Sequence, residues 1–300
     1  MKILNVVTQK GGTGKSETVK NLAYGLSNIY SLKTLVVDLD PQANTSSTIL
    51  KLHEDISNQT LKEMVQEFRK QQETNQKITG LEGVNILHSY MKKDIKGLDV
   101  SDVLVDPTLI EQAIQHTEYE NLDILPASSN LIETDMKLKT NCMKSDTRLD
   151  IALQRVANIY DVCIIDNSPF INAITINGVT ACKNEGDLVI VPIKIDAGSL
   201  EGVDVTLQQM LEILKYSQFL AFDFKLLFTM RNRTNVENNV EQTMRALFPD
   251  RCFNTAIRYQ SKPIVTASNE RKILIEGANK TGVAQDYLSL VTEIAQTIYL

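Results

Sequence analysis

The sequence predicts an α/β fold in which a doubly wound, mostly parallel sheet is flanked by helices and carries a helical insertion. Short apolar runs alternate with amphipathic stretches along most of the chain, as in folds built from βα units. A glycine-rich segment at residues 9–16 joins the first apolar run to the first helical stretch, and acidic residues end two later runs. We therefore expect one domain over residues 1–300, with its functional groups where parallel strands end.

The first third of the chain contains two predicted strands, followed by a more polar segment. The apolar run at residues 3–7 predicts a buried strand, residues 16–28 predict a helix with one apolar face, and residues 34–37 predict a second strand. Residues 60–72 predict an amphipathic helix between polar segments. Because a structureless loop of this length is unusual in a compact domain, we interpret residues 55–99 as an insertion or lid.

The alternation of strands and helices continues to the end of the chain. Residues 131–158 predict a long helical stretch with a break near residues 142–145, and residues 283–298 predict a closing helix. Further strands are predicted at 122–125, 162–166, 188–191 and 225–229, and further helices at 107–115, 199–214 and 236–247.

The segment Q-K-G-G-T-G-K-S at residues 9–16 predicts a phosphate-binding loop. Gly11, Gly12 and Gly14 let the backbone turn its N–H groups inward around a phosphate, and the following helix adds its N-terminal partial positive charge. A glycine-rich turn without any ligand is the alternative. The order of strand, loop, lysine, hydroxyl and helix favours the phosphate site.

The loop departs from the usual Walker A pattern at its first position. Gln9 stands where that pattern has a glycine, and Lys10 lies beside it. At the other end of the loop, Lys15 would reach the β- and γ-phosphate oxygens, and the Ser16 hydroxyl would bind Mg²⁺.

Carboxylates end two of the predicted strands. Asp38 and Asp40 follow the second strand, two residues apart. The run V-C-I-I-D places Asp166 at the end of a later strand, which is a Walker B type of signal for Mg²⁺ near the phosphate loop. An ordinary strand with an exposed terminal acid is the alternative for Asp166, and the phosphate loop makes the metal interpretation the better one.

Composition limits the classes of function. Of the 300 residues, 43% are hydrophobic and 23% are charged, and the formal net charge is −6, which is ordinary for a soluble globular protein. We expect a cytoplasmic protein, since no apolar run is long enough to cross a bilayer and no secretion signal is evident. Residues 221–300 hold ten Lys and Arg against eight Asp and Glu, which indicates either a basic patch or an ordinary solvated face.

At K-G-G-T-G-K-S, V-V-D-L-D-P-Q-A-N and C-I-I-D-N-S-P, the sequence resembles the deviant-Walker ATPases of the ParA/MinD family. The D-P-Q after the second strand is most similar to the ParA branch, and the resemblance covers most of the chain outside residues 55–99. It implies a DNA-partition ATPase with ATP and Mg²⁺ as cofactors and a homodimer that forms on ATP. It also implies nonspecific DNA binding, slow hydrolysis stimulated by a ParB-like partner, and association with the nucleoid.

The resemblance assigns roles to single residues. Lys10 matches the lysine that crosses to the partner subunit's phosphates, and Asp40 matches the carboxylate that positions the attacking water. Asp38 and Asp166 match acids near Mg²⁺. The nucleotide-binding set that the resemblance implies is Lys10, Gly11, Gly12, Thr13, Gly14, Lys15, Ser16, Glu17 and Asn232, with Asn232 at the adenine.

One position of that set departs from the family. Glu17 stands where the family usually has a hydroxyl residue at the α-phosphate. An anionic side chain there is repelled by the phosphate unless it turns away.

The sequence allows two functions, DNA binding and membrane association. The resemblance places DNA-binding residues in the last third of the chain, where Arg258, Lys262, Arg271 and Lys272 flank what looks like a final strand and the segment after it. Only nine residues precede Lys10, so we expect no helix-turn-helix before the loop. The alternative is a MinD-like membrane-associated regulator, which requires a basic amphipathic C-terminal helix, but no Lys or Arg follows Lys280.

Overall fold

The computed structural model describes residues 1–52, 58–74, 80–91, 95–141, 144–194, 204–208, 211–212, 223–232, 234–277 and 280–299. The strands in these ranges are β1 (Lys2–Val6), β2 (Thr34–Leu39), β3 (Gln115–His116), β4 (Leu122–Leu125), β5 (Val162–Asn167), β6 (Leu188–Lys194) and β7 (Asp223–Thr229). They form a seven-stranded sheet in the order β3-β4-β2-β5-β1-β6-β7. Only the short edge strand β3 is antiparallel to its neighbour.

Helices cover both faces of the sheet, so the predicted fold class is confirmed. Those in the first half are α1 (Lys15–Tyr24), α2 (Asn44–Ile49), α3 (Asn58–Thr74), α4 (Gly80–Met91), α5 (Val100–Val105), α6 (Ile110–Ala113) and α7 (Leu131–Asn141). Those in the second half are α8 (Arg148–Val156), α9 (Ala173–Thr180), α10 (Asn235–Leu247), α11 (Ser261–Asn269), α12 (Leu274–Gly277) and α13 (Gly282–Tyr299). A π-helical turn, Gly25–Ile29, extends α1, and a 3₁₀ turn, Pro107–Leu109, precedes α6.

The central strands are buried on both faces, as their apolar runs predict. Every residue of β2 and of β5 is buried. Successive residues point to opposite faces, so Leu35 and Val37 join one core cluster while Val36 joins the other. The carboxyl ends of β1, β2, β5, β6 and β7 therefore meet at one edge, where loops carry the polar residues.

The last helix packs closely against the first. Gly25 follows α1, and a Cβ at this position would lie 2.5 Å from Cγ2 of Val291 on α13. Only glycine permits this approach, because real Cβ contacts are never so short. Residues near the two ends of the chain thus share one core, and the single domain over residues 1–300 stays a prediction.

Several predicted elements are confirmed and two differ. The helix predicted at 60–72 is α3, and the break predicted near 142–145 separates α7 from α8. The helix predicted at 107–115 ends earlier, because Gln115 pairs with Ile124 in the sheet. Of the helix predicted at 199–214, residues 204–208 and 211–212 are helical and the others lie outside the described residues.

The final strand expected around Arg258 is absent from the described residues. The chain there makes only isolated bridges, Leu226 with Cys252 and Arg231 with Arg258, and then forms α11. Pro263 lies in the first turn of α11, where its missing N–H removes no helical hydrogen bond. Two helices, α3 and α4, lie within residues 55–99, and the insertion or lid role of that segment stays a prediction.

Within the described ranges, no helix has both the length and the apolar character needed to cross a membrane.

We expect Gly25→Ala to destabilise the fold by about 1–3 kcal/mol, because the added methyl group overlaps both methyl groups of Val291. Urea unfolding followed by circular dichroism measures this as a lower midpoint. The double variant Gly25→Ala/Val291→Ala removes the overlapping atoms, so its loss is smaller than the sum of the two single losses. Additive losses would show that the contact with Val291 is not the cause.

Candidate nucleotide-binding site

The glycine-rich loop connects β1 to α1 and has the backbone geometry that its sequence predicts. Gly12 and Gly14 have positive φ angles of 70° and 85°, a region that favours glycine. A Cβ on Gly11 or Gly12 would meet no atom within 4 Å, so the space beside these residues is open. Conformation therefore requires glycine at residue 12, and the open space is suited to an anion that the backbone N–H groups bind.

Threonine hydroxyls, two of them outside the motif, hold the loop in place. The Thr229 hydroxyl, at the end of β7, donates to the Thr13 carbonyl oxygen over 2.9 Å in a buried hydrogen bond. Within the loop region, the Thr13 hydroxyl donates to the Lys10 carbonyl at 3.3 Å, and the Thr18 hydroxyl donates to the Gly14 carbonyl at 2.8 Å. The position of Thr229 at a strand end is the one sequence signal for its role.

Lys15 begins α1 with its side chain buried among carboxylates. Burial lowers the pKa of the Lys15 ammonium, while the charges of Asp166 and Asp40 act in the opposite direction. These three predicted site residues thus come within electrostatic range of one another. A buried ammonium next to open backbone N–H groups is suited to a polyanionic ligand, because the ligand replaces the lost hydration.

Asp38 and Asp166 are neighbours in the sheet, paired in register between β2 and β5, and both are fully buried. Burial is the main cause that raises the pKa of each carboxyl, and the charge of Asp166 raises the pKa of Asp38 further. Two buried carboxylates on neighbouring strands repel each other when both are ionised, so a cation between them and the loop lowers the free energy of the ionised pair.

The surroundings of the two carboxylates differ. Both Asp38 oxygens accept hydrogen bonds: Oδ1 from the Asp40 N–H at 3.0 Å, and Oδ2 from the N–H and hydroxyl of Ser46 at 2.9 and 2.7 Å. Asp166 Oδ2 accepts from the Thr45 hydroxyl at 2.6 Å, but its buried Oδ1 accepts no hydrogen bond from the described residues. Of the two acids, Asp166 has the oxygen that is available to a ligand.

The unpaired oxygen fits Mg²⁺. Carboxylate and hydroxyl oxygens are ligands that Mg²⁺ prefers, and the Ser16 hydroxyl approaches Asp166 closely enough to lower the pKa of that carboxyl. No group of three or more His, Cys, Asp or Glu side chains in the described part of the chain is arranged to hold a metal ion. Mg²⁺ at this position would therefore keep water and phosphate ligands, as is usual for this ion.

Asp40 lies at the mouth of the site in a tight turn. Its Oδ1 accepts from the Gln42 N–H at 2.8 Å, and its carbonyl accepts from the Ala43 N–H at 2.8 Å, with Ala43 at a φ of 49°. The side chain is half-buried, in contrast to the fully buried Asp38. A carboxylate that keeps contact with solvent is suited to orient a water molecule.

Glu17 turns along its own helix. Its carboxylate is 2.8 Å from the Lys20 ammonium and accepts from the Asn21 side-chain amide at 2.9 Å. The same Asn21 accepts from the Ile275 N–H at 3.1 Å and so ties α1 to α12. Glu17, the residue that departs from the family pattern, is thus paired with Lys20, which lies outside the motif.

The geometry of the loop and the strand-end acids does not test the predicted contacts of Asn232 and Lys10. Asn232 is exposed, three residues after Thr229, and Glu237 holds it by accepting from its N–H at 2.9 Å and from its side-chain amide at 3.2 Å. Lys10 is half-buried in the loop. The adenine contact of Asn232 and the role of Lys10 on a partner subunit stay predictions.

The four predicted DNA-binding residues have unequal surroundings. Arg258 forms a two-pronged ion pair with Asp286, at 2.7 and 2.8 Å, and Lys272 pairs with Glu270 at 3.1 Å. Arg271 has a positive φ of 53° just after α11. Lys262 is exposed, and no ion pair to it occurs within the described residues.

Comparison with known proteins identifies the family of this chain. A family model described as "AAA domain" matches residues 1–222. The chain belongs to this family. Among curated relatives of this AAA-domain protein, the sporulation initiation inhibitor protein Soj of Bacillus subtilis (strain 168) is 28% identical over 295 residues, with 98% of each chain covered. The predicted membership in the ParA branch is confirmed.

Solved structures share the fold. A variant of Cyanothece McdA in complex with ATP has a TM-score of 0.72 at 18% identity, covering 99% of this chain and 96% of that chain. A plasmid partition protein of Borrelia burgdorferi has a TM-score of 0.64 at 17% identity, covering 99% of both chains. At these identities the likeness shows the fold alone.

We expect Asp166→Asn to make stability less dependent on pH. The raised pKa of Asp166 means that the native state holds its proton above pH values of about 4, where the unfolded chain has lost it, so stability falls as pH rises through that window. The neutral amide removes this loss. Thermal unfolding without nucleotide or Mg²⁺ should show a gain over wild type that is larger at about pH 8 than at about pH 5. A gain equal at both pH values would contradict a buried, shifted carboxyl.

Proposed function

We propose that this protein is an ATP-dependent DNA-partition ATPase that dimerises on ATP, binds DNA without sequence preference and is reset by partner-stimulated hydrolysis. The observation that carries the proposal is the buried Lys15 within electrostatic range of Asp166, whose buried Oδ1 accepts no hydrogen bond from the described residues, next to a loop with two positive-φ glycines. Similarity to Soj over nearly the whole chain supports the partition assignment.

The site residues divide the chemistry among them. The loop N–H groups and Lys15 bind the phosphates and neutralise charge that grows as the γ-phosphoryl group leaves. Ser16 and Asp166 would hold Mg²⁺, which would supply positive charge to neutralise the phosphates. Asp40 orients the attacking water, and Asp38 holds the turn that carries Asp40 through its bond to the Asp40 N–H.

Dimerisation is part of the proposed cycle because Lys10 acts on the partner's nucleotide. A lysine supplied by a second subunit stabilises the transition state only when two subunits meet, so hydrolysis is slow and depends on association. A ParB-like protein would then act by favouring the productive arrangement of the dimer.

DNA binding by an acidic chain requires a local cation surface. Among the four predicted residues, Lys262 is exposed and has no ion pair in the described part of the chain, whereas Arg258 and Lys272 are paired with acids. Two copies brought together by ATP double the number of phosphate contacts, which gives avid binding in the dimer and weak binding in the monomer.

The membrane-associated alternative has less support. The last helix, α13, uses its apolar face inside the core, where Val283, Tyr287, Leu290, Val291 and Ile294 are buried. A membrane-binding helix needs that face free and basic residues beside it.

We expect Asp40→Ala to bind ATP with the affinity of wild type but to hydrolyse it at least about 100-fold more slowly, because water is positioned in the transition state and not in the ground state. Isothermal titration and single-turnover hydrolysis measure the two quantities. Lys15→Ala is the matched contrast, since it removes phosphate contact and lowers affinity itself. Hydrolysis at the wild-type rate in Asp40→Ala would assign the water to another residue.

We expect Lys262→Ala to weaken ATP-dependent binding to random-sequence DNA and to reduce the salt slope by about 1 for each subunit that contacts phosphate. Fluorescence anisotropy with ATP, ADP and no nucleotide measures both effects. Lys33→Ala is the control, because Lys33 is exposed just before β2, at the opposite end of the sheet from the site. Equal weakening in both variants would show a general charge effect instead of a DNA-binding surface.

A further inference from the structure

Glu17 lies in the first turn of α1, two residues after the phosphate-binding Lys15, and its side chain is largely buried. The exposed fractions of the Lys20 and Glu17 side chains are 10% and 13%, and their charged atoms are 2.8 Å apart. Negative charge in the first turn of a free helix is favourable, but the same charge opposes a phosphate bound at that helix terminus. The effect of Glu17 on a phosphate therefore depends on what compensates it.

The position of Glu17 in the first turn of α1 places its charge within electrostatic range of the loop. The Tyr287 hydroxyl of α13 makes a hydrogen bond with the Thr18 side chain and lies 3.8 Å from the position that a Cβ on Gly14 would take. After burial itself, the charge of Glu17 is the next cause that raises the pKa of the Tyr287 phenol. Glu17 belongs to the same first turn as Lys15 and Ser16, so its charge acts on any phosphate bound at the loop that precedes this turn.

Two residues share the neutralisation of Glu17. Lys20 supplies a full positive charge, and Asn21 donates its side-chain amide to both the carboxylate and the carbonyl oxygen of Glu17. Asn21 is fixed in turn by the Ile275 N–H of α12. Because the pair is largely buried, solvent screens it less than an exposed ion pair, and its two charges have a larger effect on a neighbouring anion.

We propose that Lys20 sets the nucleotide affinity of this site by neutralising Glu17, although Lys20 lies five residues beyond Lys15 and is a positioning residue without phosphate contact of its own. The inference rests on the proposed nucleotide-binding function. It explains how the chain carries an acid in the helical turn that follows the phosphate loop: the acid is present with its own counter-charge one helical turn later.

A four-variant cycle tests the proposal by measuring the affinity of MgADP, MgATP and Mg-free ADP for the full chain. Lys20→Met keeps the aliphatic stem and leaves Glu17 uncompensated, so each nucleotide binds roughly tenfold more weakly. Glu17→Gln keeps the shape and leaves Lys20 uncompensated, so each nucleotide binds several-fold more tightly. The double variant removes both charges and binds within about twofold of wild type.

Ionic strength separates an electrostatic role from a structural one. The difference between Lys20→Met and wild type should be largest at about 20 mM salt and shrink at about 500 mM salt, because screening weakens the uncompensated charge. The thermal unfolding midpoint of each variant identifies any loss that comes from folding. Rescue of Lys20→Met by Glu17→Gln is the decisive readout, since a packing defect at residue 20 is not repaired by a neutral residue at 17.

Two results would overturn the proposal. Wild-type affinity in Lys20→Met shows that Glu17 needs no counter-charge, and a double variant as weak as Lys20→Met shows that Lys20 acts through packing. Both differ from a failure of the proposed function, which wild-type protein itself would reveal by binding no nucleotide in the same titration.

Discussion

The burial of a cation next to two carboxylates at one sheet edge is the constraint on which the rest of the site depends. Asp38, Asp166 and Lys15 are all buried, and no arrangement of this kind is stable unless each charge has a partner. Asp38 accepts three hydrogen bonds, from the backbone N–H groups of Asp40 and Ser46 and from the Ser46 hydroxyl. The buried Asp166 Oδ1 accepts no hydrogen bond from the described residues, and this oxygen, together with the desolvated Lys15 ammonium, favours a ligand at the loop.

The short helix α2 supplies the hydrogen bonds that distinguish Asp38 from Asp166. Thr45 and Ser46 reach the carboxylates from its first turn, and the Ser46 hydroxyl accepts from the Ala127 N–H at 2.9 Å. The turn that leads into α2 contains Asp40 and the positive-φ residue Ala43. The position of the proposed water-orienting carboxylate is therefore set by the same hydrogen bonds that stabilise Asp38, so the two roles cannot vary independently.

Local chemistry was predictable from the sequence, and contacts between distant residues were not. The glycine loop, Lys15 and the strand-end acids are readable because their roles depend on spacing within a few residues. The polar run N-T-S-S-T indicates only the end of a strand, yet it forms α2 and binds both acids. The β-branched segment near Val265 resembles a strand but is helical in α11, because tertiary context overrides a weak propensity. Arg258 looked like a free cation because its partner, Asp286, lies 28 residues away.

The last helix connects two surfaces that the proposed cycle must couple. Adjacent residues of α13 contact different parts of the molecule: Tyr287 reaches Thr18 beside the loop, and Asp286 holds the guanidinium of Arg258. A Cβ on Gly282 would lie 2.5 Å from that guanidinium, and Gly25 admits Val291 of the same helix, so close packing fixes α13 at both contacts. A shift of α13 on nucleotide binding would therefore move Arg258 as well, because a helix transmits displacement along its length as a rigid element. Through α13, Arg258 is thereby linked to the side chains that pack beside the phosphate loop, without contacting the loop itself.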